Sequence, residues 1–240
     1  MRRPRWTSCL AAALAAGAVA GLSGCQVPSD PDGTLERVRD ATMRVGVTQS
    51  DPWVDLADPD DPRGVEPELV RRFAARLNAE VEWIDGSEEE LMGALKEGQL
   101  DLVVGGLTKQ SPWIKEAALT RPYLRTRLVV GAAPDASLPG DLADVEVAFE
   151  RGSEAGGLLE RKTDARPVAV EQLSDARDAV AVDDWLLDDL RLRATGTELS
   201  KHDHVLAAPL GENAWLVELE RFLLRRTGEI RALLEREGRP

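Results

Sequence analysis

The chain has 240 residues, 43% of them hydrophobic and 30% charged, with a formal charge of −13. That is long enough for two compact cores of roughly 100 residues each and too apolar for a disordered chain. Nucleic acid is excluded as a partner, because a phosphate backbone needs a basic face and here 30 bases are interspersed among 43 acids.

Arg2, Arg3 and Arg5 precede an apolar run of 14 residues, Cys9 to Leu22. A membrane span needs about 20 residues, so the run has the size of a signal-peptide core. Leu22-Ser23-Gly24-Cys25 follows and resembles the bacterial lipobox, whose cysteine receives diacylglycerol. Residues 1–24 are therefore expected to be a lipoprotein signal peptide, Cys25 the palmitate-bearing membrane anchor, and 25–41 a tether. Loss of the leader deepens the charge to −16, and with Cys9 gone and Cys25 acylated no disulfide remains.

Met43, Val45 and Val47 alternate as a first strand. A turn-rich loop, Gln49 to Gly64, carries Trp53 as a large, exposed-looking aromatic. Pro67 suits the first turn of a helix with Leu69, Val70, Phe73, Ala74 and Leu77 on one face, ended by Asn78. Val81 to Ile84 reads as a second strand. Ser87 and Glu90 make a capping box for a helix that Gly98 closes. Leu100 to Gly105 is the apolar run of a strand covered on both faces.

After Pro122-Tyr123 a strand at Arg127 to Gly131 opens a second α/β series. Strands are expected at Val145 to Phe149, Val168 to Val170, Ala179 to Val182 and Val205 to Ala208. Helices are expected after Gly152-Ser153, over Asp184 to Arg193, and over Ala214 to Arg226 and Glu229 to Glu237. Two α/β units joined by two strands imply a cleft between lobes, since parallel sheets bind ligands beyond the carboxyl ends of their strands.

The segments MRVGVTQSDPW, GVEPELVRRFAARLNAEVEW, ALKEGQLDLVVGGLT, TRPYL, DAVAVDDWLL and GENAWLVELERFL, in this order, resemble the family 3 extracellular solute-binding proteins, the amino-acid type of periplasmic binding protein serving ABC importers. The resemblance implies an α/β, two-lobed periplasmic-binding-protein fold of type II, each lobe a mainly parallel sheet flanked by helices, with two hinge strands. Lobe 1 would comprise 42–127 and 209–240, and lobe 2 would comprise 128–208. It also implies that Trp53 stacks on the ligand, that Gly106 and Thr108 offer first-lobe hydrogen bonds, that Ser153 lies at a second-lobe helix N-terminus, and that Asp183 pairs with a ligand ammonium. An alternative for Asp183 is the N-cap of a helix beginning at Asp184.

One position departs from the family. An arginine is expected five residues beyond the threonine, forked onto the ligand carboxylate, and Trp113 stands there. An indole offers one neutral donor and cannot replace a guanidinium. Either Lys109 supplies the cation, or the ligand lacks a carboxylate and meets an acidic, aromatic-walled cleft of Trp53, Trp113, Glu66, Glu88 and Asp183 through cation–π contact. The plainer reading is that Trp113 packs under its loop and that Glu66 and Glu88 favour helix N-termini.

His202 and His204 alternate on an extended segment, but two imidazoles do not make a metal site and a solvated loop is the simpler reading. The sequence has no Gly-rich phosphate loop and no Gly-x-Ser-x-Gly elbow. The expected function is a lipid-anchored, extracytoplasmic receptor of an ABC importer, capturing an amino acid, cationic amine or betaine. A monomer is expected, partnered by a membrane permease, with no cofactor, no metal and no enzymatic activity. The alternatives are a dehydratase-like enzyme on the same fold and a sensor that has lost uptake. The fold also forms the front half of some lytic transglycosylases, and a chain ending at residue 240 argues against that arrangement.

Overall fold

The computed structural model describes residues 30–173 and 179–238; the expected leader and Cys25 lie outside the described residues. The chain builds two five-stranded mixed sheets flanked by helices, as the two-lobed expectation requires. Sheet 1 has the order β2 (Glu80–Asp85), β1 (Thr42–Val47), β3 (Leu102–Val104), β10 (Ala207–Ala208), β4 (Ala118–Leu119), and sheet 2 the order β7 (Arg166–Val170), β6 (Glu146–Glu150), β8 (Ala179–Asp183), β5 (Leu124–Ala132), β9 (Arg193–His204).

In lobe 1, β1 (Thr42–Val47) pairs in parallel with β2 (Glu80–Asp85) and β3 (Leu102–Val104). Between them run α2 (Val65–Arg76) and α3 (Glu88–Lys96). Pro67 falls in the first turn of α2, where its missing N–H costs nothing, and Asn78 at φ 54° turns the chain out of it. Both halves of the Ser87–Glu90 capping box form at α3. Phe73 of α2 packs against Trp215 and Phe222, with ring centroids 5.3 and 5.2 Å apart. Those two rings come from α5 (Asn213–Leu224), which together with α6 (Thr227–Glu237) closes the core of lobe 1.

The chain leaves sheet 1 after β4 (Ala118–Leu119), enters sheet 2 as β5 (Leu124–Ala132), and returns from β9 (Arg193–His204) to β10 (Ala207–Ala208). β5 and β9 are antiparallel neighbours from Leu124 opposite His204 to Ala132 opposite Arg193. Beside them lie β6 (Glu146–Glu150), β7 (Arg166–Val170) and β8 (Ala179–Asp183), with α4 (Ala155–Lys162) on the sheet.

Three local expectations are corrected. Asp184 to Arg193 is no helix but a series of turns with Arg191 at φ 54°; its leucines look helical because Leu187 and Leu192 are needed to cover Gly131 of β5. His202 and His204 are not in a loop but end β9, the longest strand among the described residues. Part of the stretch read as a tether is folded, since Thr34–Val38 forms the short helix α1.

Candidate functional site

The carboxyl ends of β1 and β3 in lobe 1, and of β6 and β8 in lobe 2, release the loops that carry most of the expected site residues. A cleft of about 840 Å³ lies between them, lined by Asp51, Pro52 and Gly64 from lobe 1 and by Glu150, Glu171 and Asp183 from lobe 2. Asp55, Arg63, Trp185, Leu186 and the end of α6 also line it.

Asp183 ends β8 opposite Leu128 of β5, and its side chain has no hydrogen-bond or ion-pair partner among the described residues. Burial pushes its pKa up to about 6, against the pull of nearby His202, while Asp184 and Glu154 push the same way as burial. A half-buried carboxylate so placed is partly desolvated, and a positive charge beside it would favour its ionised form. The helix N-cap alternative fails, because no helix starts at Asp184. That residue instead takes Arg127 at 3.1 Å and Arg231 at 3.4 Å. Next to it, Trp185 packs into the core beside Ile230, Leu233 and Leu234 of α6, so tightly that a Cβ on Gly238 would overlap its ring.

Beside Asp183, the start of α4 carries a polar cluster that sequence reasoning missed. Glu154 accepts from Ser200 Oγ at 2.9 Å and lies 3.0 Å from His202 Nε2, while Ser200 and His202 are 2.8 Å apart. Thr195, Thr197 and Leu199 alternate along β9, a strand signal obscured by the polar residues around it. Ser153 is exposed just before this helix and makes no cap to it.

The lobe 1 side is closed by its own contacts. Glu66 is fully buried, accepting from the N–H groups of Gly105 at 2.7 Å and Gly106 at 3.0 Å and from Tyr123 Oη at 2.6 Å. Burial raises its pKa, opposed by those three bonds, and burial beside Glu66 keeps Tyr123 protonated as the donor. Gly106 has φ +69° and a Cβ there would come within 2.8 Å of Trp53 Cδ1, so the glycine lets the loop lie on the indole. Trp53 itself is buried rather than exposed, at 8%. It stacks on His204 at 3.8 Å and meets Tyr123 edge-on at 6.3 Å. His204 Nε2 lies 2.9 Å from Thr126 Oγ1, Nδ1 has no partner, and burial lowers the ring's pKa to about 3. The imidazole is therefore neutral where the two crossing strands meet lobe 1.

Thr108 bridges to His204, and the N–H of exposed Lys109 donates to the Asp203 carbonyl at 3.0 Å. Glu88 accepts from Ser111 Oγ at 3.2 Å, tying α3 to this turn. Trp113 lies in a 3-10 turn, Pro112–Lys115, and packs against the cluster of Leu91, Met92, Leu95 and Leu107, with its buried Nε1 unpartnered. The aromatic-walled arrangement is thus not assembled: Trp53 contacts Gly106, Trp113 joins the lobe 1 core, Glu66 has no exposed surface, and Asp183 stands on the other lobe. Of the expected acids only Asp183 lines the cleft, joined there by Asp51, Asp55, Glu150, Glu171 and Glu237. Among the described residues no group of three potential ligands could hold a metal, and no helix is long and apolar enough to cross a membrane.

The family profile of the bacterial extracellular solute-binding proteins, family 3, matches residues 43–236. Membrane-bound lytic murein transglycosylase F of Vibrio cholerae is 35% identical over 97 residues, 40% of this chain and 18% of that protein. The Pseudomonas fluorescens protein of the same name is 30% identical over 184 residues, 74% of this chain and 36% of its own length. The chain thus spans from 18% to 36% of these curated relatives. The expectation that the chain is no enzyme is corrected by these names, which are those of enzymes. Among solved structures, an ancestral cationic amino acid solute-binding protein superposes with a TM-score of 0.66 at 19% identity, covering 87% of this chain and 99% of its own. The unliganded, open L-cystine receptor of Neisseria gonorrhoeae gives 0.65 at 19% identity, covering 82% and 92%. Sharing this fold and matching the profile over most of its length, the chain belongs to the bacterial extracellular solute-binding proteins of family 3.

Proposed function

We propose that the chain is a lipid-anchored extracytoplasmic receptor that takes a small amine-bearing solute between its lobes and presents it to an ABC permease. The observation that carries this reading is Asp183: a half-buried carboxylate at a strand end that lines the cleft with no hydrogen-bond or ion-pair partner among the described residues. The solute's ammonium replaces the lost solvation of Asp183. Asp51, Asp55, Glu150 and Glu171 add negative potential, offset by Arg63. Trp113 at the position of the family's arginine supports a cation without an α-carboxylate, such as an amine or betaine. Thr108 and Ser153 are assigned the neutral contacts from the two lobes.

Thermal unfolding with and without amines, betaines, α-amino acids and neutral sugars tests the assignment. At a hundredfold excess over Kd a native-state ligand adds about 2.7 kcal/mol. Cationic amines are expected to raise the unfolding temperature of the wild type and not of Asp183→Asn. A response to sugars alone overturns the assignment.

A second reading is favoured by the curated relatives: the chain acts as the solute-sensing module of a murein-cleaving enzyme. Release of soluble fragments from purified murein sacculi by the protein, altered by the same amine, would support it. Unaltered sacculi with intact amine binding would leave the receptor reading.

A further inference from the structure

We propose that the edge of lobe 1 formed by residues 30–36 and 209–213 is the membrane-facing surface of the protein, with the lipid headgroup layer as its partner. The inference rests on the reading of Cys25 as the acylated anchor. Only five peptide units separate Cys25 from Asp30, and a fully extended chain spans at most about 3.3–3.6 Å per residue, so the anchor lies within roughly 17 Å of Asp30.

Asp30 is not the start of a loose arm. Its carboxylate accepts from the N–H of Leu35 at 2.7 Å and from the N–H of Trp215 at 3.2 Å, so it caps both α1 and α5. In return, Glu212 accepts from Asp32 N–H at 2.9 Å and Thr34 N–H at 3.0 Å. Arg37 pairs at 2.8 Å with Asp101, whose side chain is fully buried and also holds Arg44 of β1. Thr34 and Val38 are buried against the lobe. The strap is therefore part of lobe 1, and its membrane end emerges beside the β10–α5 turn.

That turn presents Leu210, 53% exposed, two residues before Glu212. A single exposed leucine is unremarkable by itself. Here the tether length keeps it within reach of the bilayer surface. The edge exposes Asp32 and Glu36 and no basic cluster, so the contact is imposed by the short tether and not by attraction to anionic lipid, and salt should leave it unchanged. β5 climbs away from lobe 1 over nine residues, about 30 Å. The loop beyond it, with exposed Ser137, belongs to the other lobe and is expected to stand clear of the headgroups.

Single fluorophores at Leu210→Cys and Ser137→Cys, in acylated full-length protein reconstituted into phosphatidylcholine–phosphatidylglycerol vesicles carrying nitroxide headgroups, test the orientation. Mass spectrometry of the same sample reads the acyl group on Cys25. Quenching is expected to be several-fold stronger at position 210 than at 137, unchanged between low and high salt. Equal quenching, or stronger quenching at 137, with the acyl group present overturns the orientation alone. An unmodified Cys25 overturns the lipoprotein reading and this inference together. Salt-sensitive quenching at 210 overturns the tether-imposed contact in favour of electrostatic docking.

Discussion

Glu66 in lobe 1 is a carboxylate taken fully out of water and Asp183 in lobe 2 is one half-buried in the cleft wall, and they have opposite surroundings. Glu66 receives three hydrogen bonds, from two glycine N–H groups and a tyrosine hydroxyl, while Asp183 receives none from the side chains or backbone of the described residues. A buried acid with three donors on its two oxygens holds its neighbours in place; one without such donors has its charged form less well satisfied by the fold. The knot around Glu66, with Trp53 stacked on His204, is the fixed half of this comparison, and the end of β8 is the open half.

The largest effect expected comes from acid acting on the fixed half. His204 has its folded pKa depressed by burial from 6.5 to about 3, so its contribution to stability is complete above pH 6.5 and is lost as pH falls through 3. A shift of that size corresponds to about 5 kcal/mol once the lower pKa is passed. Denaturant titrations from pH 7 to pH 3 should show the loss in the wild type and a much flatter profile in His204→Gln.

Next in size is Glu66→Ala, which strands two amide donors and the Tyr123 hydroxyl in the core. At about 1–3 kcal/mol for each unsatisfied buried group, partly relieved by relaxation, a loss of about 3–5 kcal/mol in urea unfolding is expected. An equal loss in Asp183→Ala would erase the contrast between the two acids.

Smaller, and of opposite sign, is Asp183→Asn. With the folded pKa raised from 3.8 to about 6, the ligand-free protein is most stable below pH 3.8 on this account and loses that contribution as pH rises through 6. The amide should therefore stabilise the ligand-free protein at pH 7 by about 2–3 kcal/mol and remove this slope. Destabilisation by Asp183→Asn would mean that the carboxylate has a structural partner. Smallest of all, Glu212→Gln weakens the strap by about 1 kcal/mol, read as faster amide hydrogen exchange in residues 32–38 with the cleft unaffected.

Much of lobe 1 was legible in the sequence because its signals are local: the alternation in β1, the proline in the first turn of α2, and the Ser87–Glu90 box. The failures came where side chains serve a distant partner. Leu186 and Leu190 follow Trp185 with helical spacing, but the segment is shaped by packing on α6 and on Gly131, which no local pattern records. β9 is polar because one of its faces meets solvent and the other meets α4 and Glu154. Trp53 and Glu66 sit among turn residues and at a helix start, and only the fold shows that each closes on the other's neighbour, Gly106. Asp183 was singled out through the resemblance alone; its place in the cleft wall, without a hydrogen-bond or ion-pair partner among the described residues, is a property of the fold.

The most direct test of the central claim is calorimetric titration of a cationic amine at pH 6, in two buffers of different ionisation enthalpy, with wild type and Asp183→Asn. Near its raised pKa about half of Asp183 is protonated, so capture of an ammonium should expel about half a proton from the wild type. The variant should release none and bind far more weakly. Binding without proton release, with equal affinity in Asp183→Asn, would contradict the account.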